Sequence, residues 1–287
     1  MTLRTRFAPT PSGFLHPGNG ISFIITWALA RKFGGKIVLR IDDLDADRMR
    51  TEYVEDIFRT LDWLGLDYDE GPTSVKDFTK NYSQHKRLDL YFEGLEALKS
   101  NEFATLYACN CSRKQIRDNT ENSIYPNTCR SKNGNLDAKN TAWRIVVREN
   151  TLISFQEMGG KTFFNQLDET MGDFIVRQKN DLPAYQIASL VDDEYFNINF
   201  IVRGQDLLNS TAAQVFLANM LKKDLPKTYF HHPLLTDTEG VKLSKSQGAG
   251  SLKDWRECGR SPLALFQKAE EWLGFEIPNK KIFHGST

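Results

Sequence analysis

The sequence predicts an α/β protein: a parallel sheet with its helices, interrupted by a small α+β insertion and closed by a short helical segment. Three observations predict it. The first 64 residues read as strand, turn, helix, strand, helix, the opening of a parallel sheet. A polar, cysteine-bearing stretch then breaks that pattern over residues 100–171. The pattern resumes at Gly172 and ends in a helix beyond a Lys/Ser loop. The expected segments are 1–99, first half of the sheet domain; 100–171, the insertion; 172–235, second half; and 236–287, the loop and C-terminal helical segment.

Residues 3–8 form the opening strand, which the prolines at 9 and 11 stop. Ile21 to Lys32 is an apolar stretch that reads as a buried helix ending at Gly34-Gly35. Ile37 to Ile41 is a continuous apolar run of strand length. Thr51 opens an amphipathic helix with Val54, Ile57, Phe58, Leu61 and Leu64 on one face. Inside the insertion, Thr141–Val147 and Thr162–Leu167 are strand-like. Phe174–Arg177 is the strand that resumes the α/β pattern, followed by a helix over Tyr185–Val191 and a strand at Ile198–Val202. A further helix is expected from a cap near Ser210 to about Lys222. The last takes Ser261 as N-cap with Pro262 in its first turn.

At 287 residues the chain has room for roughly two domains and a sizeable core. No apolar run approaches the ~20 residues of a membrane-spanning helix. The N-terminus lacks the apolar segment of a secretory signal. Three of the four cysteines cluster, which points to a metal site in a reducing compartment rather than a disulfide framework. A cytoplasmic, membrane-free protein is expected. Net charge is zero, but it is unevenly placed. Cys109 to Arg148 holds eight Lys/Arg against three acidic residues, a surplus of +5, whereas Arg40 to Glu70 carries a net −7. The basic stretch is a candidate phosphate-binding surface; a solvated face is the plainer alternative.

Two short motifs carry chemistry. His16-Pro17-Gly18-Asn19 lies between the opening strand and a helix, whose N-terminus offers free N–H groups and a positive dipole end to phosphates. Gly18 permits close approach of a ligand to the backbone, and the His16 imidazole can donate to a phosphate oxygen. Far along the chain, Lys242-Leu243-Ser244-Lys245-Ser246 sets two lysines on a polar loop, suited to neutralising charge on a triphosphate. Taken singly, each is a weak signal.

Together the pair resembles the HIGH and KMSKS signatures of class I aminoacyl-tRNA synthetases. Arg6-Phe7-Ala8-Pro9-Thr10-Pro11-Ser12-Gly13 is similar to the RFAPSPTG of the glutamyl subgroup, and Arg40-Ile41-Asp42-Asp43-Leu44-Asp45 to its RIEDTD. Tyr185 to Asp193, followed by Ile201-Val202-Arg203, resembles its Y-x-L-A-x-V-V-D-D and V-I-R pattern. The likeness runs from residue 4 to about 250, in order. It departs in three places: Asp42 stands where the glutamyl family shows Glu and the glutaminyl branch Asp, Pro17 replaces an aliphatic residue, and Ser189 stands where discriminating synthetases carry Asn.

The resemblance implies a Rossmann-type catalytic domain with a zinc-bearing, acceptor-binding insertion. It implies ATP with Mg²⁺, glutamate and a tRNA as ligands. Arg6 and Arg203 would grip the substrate carboxylate, for which an Arg fork is suited; surface ion pairing is the alternative for both. Thr10 and Tyr185 would hydrogen-bond the amino acid, Asp42 would balance its ammonium group, and Phe7, Ala8, Pro9 and Ser189 would line its pocket. His16, Gly18, Asn19 and Lys245 would hold ATP, with His16, Gly18, Lys242 and Lys245 serving the reaction. Cys109-x-Cys111 with Tyr125-x-x-x-Cys129 resembles the spacing of the glutamyl-queuosine tRNA(Asp) synthetases, a short branch of the family. That likeness implies one Zn²⁺ on Cys109, Cys111, Tyr125 and Cys129; reduced cysteines without metal are the alternative. The 41 residues after Ser246 are too few for a helical anticodon-binding domain. The expected activity is therefore glutamate activation and transfer to the queuosine base of tRNA(Asp), by a monomer. Two alternatives stay open: a truncated glutamyl- or glutaminyl-type paralogue with another acceptor, and a non-catalytic tRNA- or ATP-binding regulator.

Overall fold

A computed structural model describes residues 2–45, 47, 49–118, 120, 124–223, 228–235 and 250–278. Its strands are β1 (Arg4–Phe7), β2 (Lys36–Leu39), β3 (Leu106–Cys109), β4 (Ala142–Ile145), β5 (Leu152–Gln156), β6 (Thr162–Gln166), β7 (Phe174–Arg177), β8 (Phe200–Gly204) and β9 (Thr228–His232). Its helices are α1 (Pro17–Lys32), α2 (Thr51–Trp63), α3 (Val75–Asp77), α4 (Leu88–Lys99), α5 (Arg113–Asp118), α6 (Leu167–Thr170), α7 (Tyr185–Tyr195), α8 (Leu208–Leu221), α9 (Leu252–Glu257) and α10 (Leu263–Leu273). The chain forms two compact units: Met1–Lys86, Ile198–Asp206 and Phe230–Thr287 in the first, Arg87–Asn197 and Leu207–Tyr229 in the second.

In the first unit β1 and β2 pair in parallel, Arg4 opposite Lys36 through Phe7 opposite Leu39. A parallel pair needs a crossover, and α1 supplies it. Leu3, on the way into β1, accepts from the N–H of Lys36, and a parallel bridge from Val38 to Glu70 continues the sheet edge. Asn199, just before β8, donates to the Arg4 carbonyl. Apolar residues buried on both faces of β2 (Ile37, Val38, Leu39) fit a covered parallel strand. Helix α1 buries Ile21, Ile24, Ile25, Ala28 and Leu29 together with Phe23 and Trp27, so it is apolar nearly all round, as a core helix is. It ends where Gly34 takes φ +63, the left-handed cap that favours glycine. A Cβ at Gly20 would come within 3.1–3.2 Å of Leu252 and Leu265, so α9 and α10 seat against α1 at that position.

The inner face of α2 carries Val54, Ile57 and Leu61 as expected, but also Asp56 and Thr60, while Phe58 is only half-buried. The polar pair has a partner remote in sequence. Arg256 of α9 forms an ion pair with Asp56 and donates to Thr60 Oγ1 at 3.1 Å. A buried carboxylate is tolerated there because a guanidinium meets it.

The second unit holds an antiparallel sheet in the order β3-β4-β7 and an antiparallel hairpin of β5 and β6. This corrects the expectation for Phe174–Arg177. Instead of resuming the parallel sheet, β7 pairs antiparallel with β4. Its alternating burial is that of a strand with one covered face. Two helix starts also shift. Helix α8 begins at Leu208, so Ser210 lies inside its first turn rather than capping it. Helix α10 begins at Leu263 with Pro262 as N-cap, although Ser261 Oγ still accepts from the Leu263 N–H at 3.2 Å.

Helices α4 and α7 pack at Gly94, where a Cβ would meet Val191 and Ile187 at an ordinary contact distance of 3.4–3.8 Å. Beside that contact Asp192, fully buried, accepts from Arg87 Nε at 2.9 Å and from the Tyr91 hydroxyl at 2.8 Å. Removing the carboxylate would leave a buried guanidinium unmatched. Asp192→Ala is expected to cost about 3–5 kcal/mol of stability, measured by chemical denaturation; a loss below about 1 kcal/mol, the range of a surface pair, would refute a structural role for this ion pair.

Candidate functional site

Just beyond the ends of β1 and β2 the chain keeps its ladder for two more bonds. Arg40 N–H donates to Phe7 O and Asp42 N–H to Pro9 O, each at 2.9 Å. Prolines lack an N–H but keep a carbonyl, so Pro9 can accept here while Pro9 and Pro11 end the strand. The carboxyl ends of parallel strands are where α/β folds bind ligands. Arg6 on β1 and Arg203 on β8 are both buried, so neither is a surface residue. Arg6 Nη1 donates to Val202 O at 3.3 Å. Phe7 and Pro9 are buried, Ala8 half-buried and Thr10 exposed. Asp42 is gripped by Arg40 through both carboxylate oxygens, at 2.8 and 3.1 Å.

The segment carrying Asp42 is fixed by its neighbour. Asp43 accepts from Ser83 Oγ at 2.6 Å and from the Gln84 N–H at 2.7 Å, while Gln84 Oε1 accepts from Leu44 N–H at 3.0 Å. Sequence reading missed Asp43, Ser83 and Gln84 as a group. Forty residues separate the partners, and no local pattern marks them.

His16 caps α1 with extended backbone, and Pro17 takes the first helical position, where its missing N–H costs nothing. Asn19 Oδ1 accepts from the His16 N–H at 3.0 Å. The first turn holds no acidic residue, so the positive end of the dipole is not offset by a carboxylate of its own. A Cβ at Gly18 would lie 2.8 Å from His16 Cε1. The imidazole therefore folds back over the helix N-terminus in space that only glycine leaves open. Leu15, immediately before, accepts from the Leu252 N–H at 2.7 Å. Lys242 and Lys245 lie outside the described residues; the chain is described again from Gly250, and this bond ties its return to the residue preceding His16. In the same unit His232 stacks on Trp272 with ring centroids 5.6 Å apart, and burial pushes its imidazole below the ordinary range.

In the second unit, Tyr185 opens α7 with 44% of its surface exposed, whereas Ser189 one turn on is buried. Between them the buried Gln186 donates to Ser210 Oγ at 3.1 Å, joining the first turns of α7 and α8.

The second unit also brings Cys109, Cys111, Tyr125 and Cys129 together. Tyr125 Oη lies 3.4 Å from the sulfurs of Cys109 and Cys111 and accepts from the Cys129 N–H at 3.0 Å. Cys111 and Cys129 sulfurs are 3.6 Å apart, and all three sulfurs fall within 4.8 Å of one another. A tetrahedral zinc with Zn–S near 2.3 Å sets sulfurs about 3.8 Å apart, so the cluster fits that ion with little movement. Burial raises the Cys129 thiol, but hydrogen bonds, that of Tyr125 foremost, outweigh it and bring the pKa down to about 7. The Cys111 thiol and the Tyr125 phenol are both pushed up, chiefly by burial. Cys258 is exposed and lies in the other unit. The basic stretch is less basic at its surface than its count implies. Arg130 is bound to the buried Asp173, and Arg144 is itself buried.

The first unit thus offers the parallel β1–β2 ladder, the buried Arg6 and Arg203 and a histidine-capped helix start, and the second a three-cysteine cluster. A family model, tRNA synthetases class I (E and Q), catalytic domain, matches residues 2–284, and the chain belongs to that family. Among its relatives, the Glutamyl-Q tRNA(Asp) synthetase of Nitratidesulfovibrio vulgaris is 34% identical, covering 90% of this chain and 82% of the relative. The protein of the same name from Deinococcus radiodurans is 33% identical, covering 98% and 94%. A glutamate-tRNA synthetase structure from Elizabethkingia anophelis superposes with a TM-score of 0.71 at 25% identity, covering 90% of this chain. The chain spans about half of that structure, 54% of its length. Among the described residues, no helix is long and apolar enough to cross a membrane.

The cysteine geometry gives a direct expectation. Protein purified without chelator should carry about one zinc per chain by elemental analysis, and Cys129→Ser should lower that content, since a structural site needs all four ligands. Wild-type protein free of metal under those conditions would reduce the cluster to packed thiols.

Proposed function

We propose that the chain activates glutamate with ATP and transfers the glutamyl group to a tRNA, the queuosine base of tRNA(Asp) being the acceptor. The observation that carries this reading is the match, over nearly their whole length, to relatives named for that activity. The first unit supplies chemistry consistent with it. In the first step a glutamate α-carboxylate oxygen attacks the α-phosphorus of ATP. The bond from that phosphorus to the oxygen bridging to the β-phosphate breaks, and pyrophosphate leaves; Mg²⁺, when bound to the phosphates, would offset their charge. In the second step the acceptor nucleophile attacks the adenylate carbonyl and AMP leaves.

Within that scheme Arg203 and Arg6 hold the side-chain carboxylate of glutamate, and Asp42 balances its ammonium. Thr10 hydrogen-bonds the amino acid, and Phe7, Ala8 and Pro9 shape its pocket; Tyr185 and Ser189 are carried as substrate-binding residues by the family likeness alone. The α1 N-terminus with His16 and Asn19 receives the phosphates, and Gly18 lets them approach. Lys242 and Lys245 absorb charge as pyrophosphate departs. Such preorganised donors act where charge builds in the transition state. Cys109, Cys111, Tyr125 and Cys129 would hold Zn²⁺, whose part is to clip the 109–111 segment to the 125–129 segment. The reading places the chain in the cytoplasm, with its tRNA, as a monomer.

Two measurements test it. ATP–pyrophosphate exchange should depend on glutamate and proceed without tRNA, and Arg203→Ala should lose about 1.5–3 kcal/mol of a charge-assisted contact, read in kcat/KM for glutamate. Exchange driven by glutamine instead would overturn the substrate assignment. Gly18→Ala should leave the melting temperature near wild type yet lower kcat, because the new Cβ displaces the His16 ring. Unchanged kcat would remove His16 from the reaction.

A further inference from the structure

Arg144 stands on β4 opposite Tyr107, with only 5% of its surface exposed. Its Nε lies 3.3 Å from Cys109 Sγ, and its guanidinium carbon sits 3.6 Å over the Tyr125 ring. One cation thus touches two members of the four-residue cluster. Its other end is anchored, since Nη1 donates to the backbone carbonyl of Asp173 at 2.7 Å.

The Asp173 carboxylate does not neutralise it. That carboxylate is taken by Arg130, at 2.6 and 2.9 Å, by the Tyr107 hydroxyl at 2.7 Å and by the Val147 N–H at 2.8 Å. Among the described residues no carboxylate forms an ion pair with Arg144. An arginine keeps its charge at any pH a protein survives, and a buried charge without a counter-charge is costly. The group its Nε reaches is the Cys109 sulfur, and a cysteine that ligates a metal does so as thiolate.

Charge counting gives the same answer from the opposite side. Three thiolates and an un-ionised Tyr125 phenol around one divalent ion leave a net charge of −1 in a largely buried cluster, and one guanidinium cancels it. We propose that Arg144 is the charge-compensating and positioning residue of the metal centre. Its charge offsets the surplus of the thiolates, and its stacking on Tyr125 fixes the phenol between Cys109 and Cys111. This rests on the metal reading above, and partners behind metal ligands commonly govern affinity by about 10–100-fold.

The test compares wild type, Arg144→Lys and Arg144→Gln, with zinc affinity measured by competition against a chromophoric chelator. Cobalt-substituted protein reports separately, through its thiolate-to-metal absorption, whether all three sulfurs still bind. Arg144→Gln should weaken zinc by about tenfold or more with the cobalt spectrum still that of three thiolates, and Arg144→Lys should recover most of the loss. Wild type that binds neither metal would sink the metal reading and this inference with it. Wild type that binds zinc no more tightly than Arg144→Gln would overturn the inference alone, as would equal losses in the Lys and Gln variants. Where Arg144→Gln fails to fold, Arg144→Lys decides: affinity close to wild type supports compensation by charge, and a loss of tenfold or more refutes it.

Discussion

The parallel register of β1 on β2 is the constraint on which the first unit depends. Phe7 sits opposite Leu39, and the ladder runs on through Arg40 to Phe7 and Asp42 to Pro9. A slip of one residue would turn every side chain to the other face. Arg6 would leave its contact with Val202, and Asp42 would no longer lie beside Pro9. The helix between the two strands is held by the same register, because its start at His16 and its end at Gly34 are set by where β1 stops and β2 begins. The position of the histidine-capped N-terminus therefore follows from backbone pairing before any ligand is considered.

Within each unit, buried carboxylates accept directional bonds. Asp43 fastens the Asp42 segment to Ser83 and Gln84, Asp56 receives Arg256, Asp192 receives Arg87 and Tyr91, and Asp173 receives Arg130, Tyr107 and Val147. Apolar burial is not directional and would accept many arrangements of these helices. A buried carboxylate accepts only from donors at the right distance and angle. Such pairs add little net stability over apolar packing, but breaking one side is expensive.

Sequence reading reached the elements whose signals are local. Helix α1 announces itself by its apolar run and its Gly34 stop, β2 by continuous burial, and α2 by its stripe. The cysteine knot was visible because each half, Cys109-x-Cys111 and Tyr125-x-x-x-Cys129, is compact in sequence, and the Cys129 N–H to Tyr125 bond closes the second half on itself. What escaped depends on partners remote in the chain. Phe174–Arg177 has the composition of a parallel strand, and only its pairing with β4 makes it antiparallel. Asp56 reads as a fault on an apolar face until Arg256 arrives from two hundred residues away. Arg130 and Arg144 count as surface charge in any composition window, yet one is spent on Asp173 and the other lies against sulfur. Tyr185 and Ser189 share a motif but differ in exposure, because one opens α7 and the other lies a turn inside it.

The Arg40–Asp42 pair gives the departure at position 42 a physical meaning. A carboxylate has about four acceptor positions, and the bidentate Arg40 takes two of them. In the proposed role Asp42 would therefore hold an ammonium while sharing its charge with a guanidinium that is itself buried. A glutamate at this position would reach one methylene farther and could serve an ammonium from outside the reach of Arg40. The shorter aspartate keeps the carboxylate close to the backbone that Pro9 and Asp43 fix. Its geometry is set by the strand ends rather than by side-chain rotamers. On the proposed reading that exchanges reach for rigidity, because the ammonium would have to come to the carboxylate. How deeply Arg6 and Arg203 draw in the other end of the amino acid would then set its position.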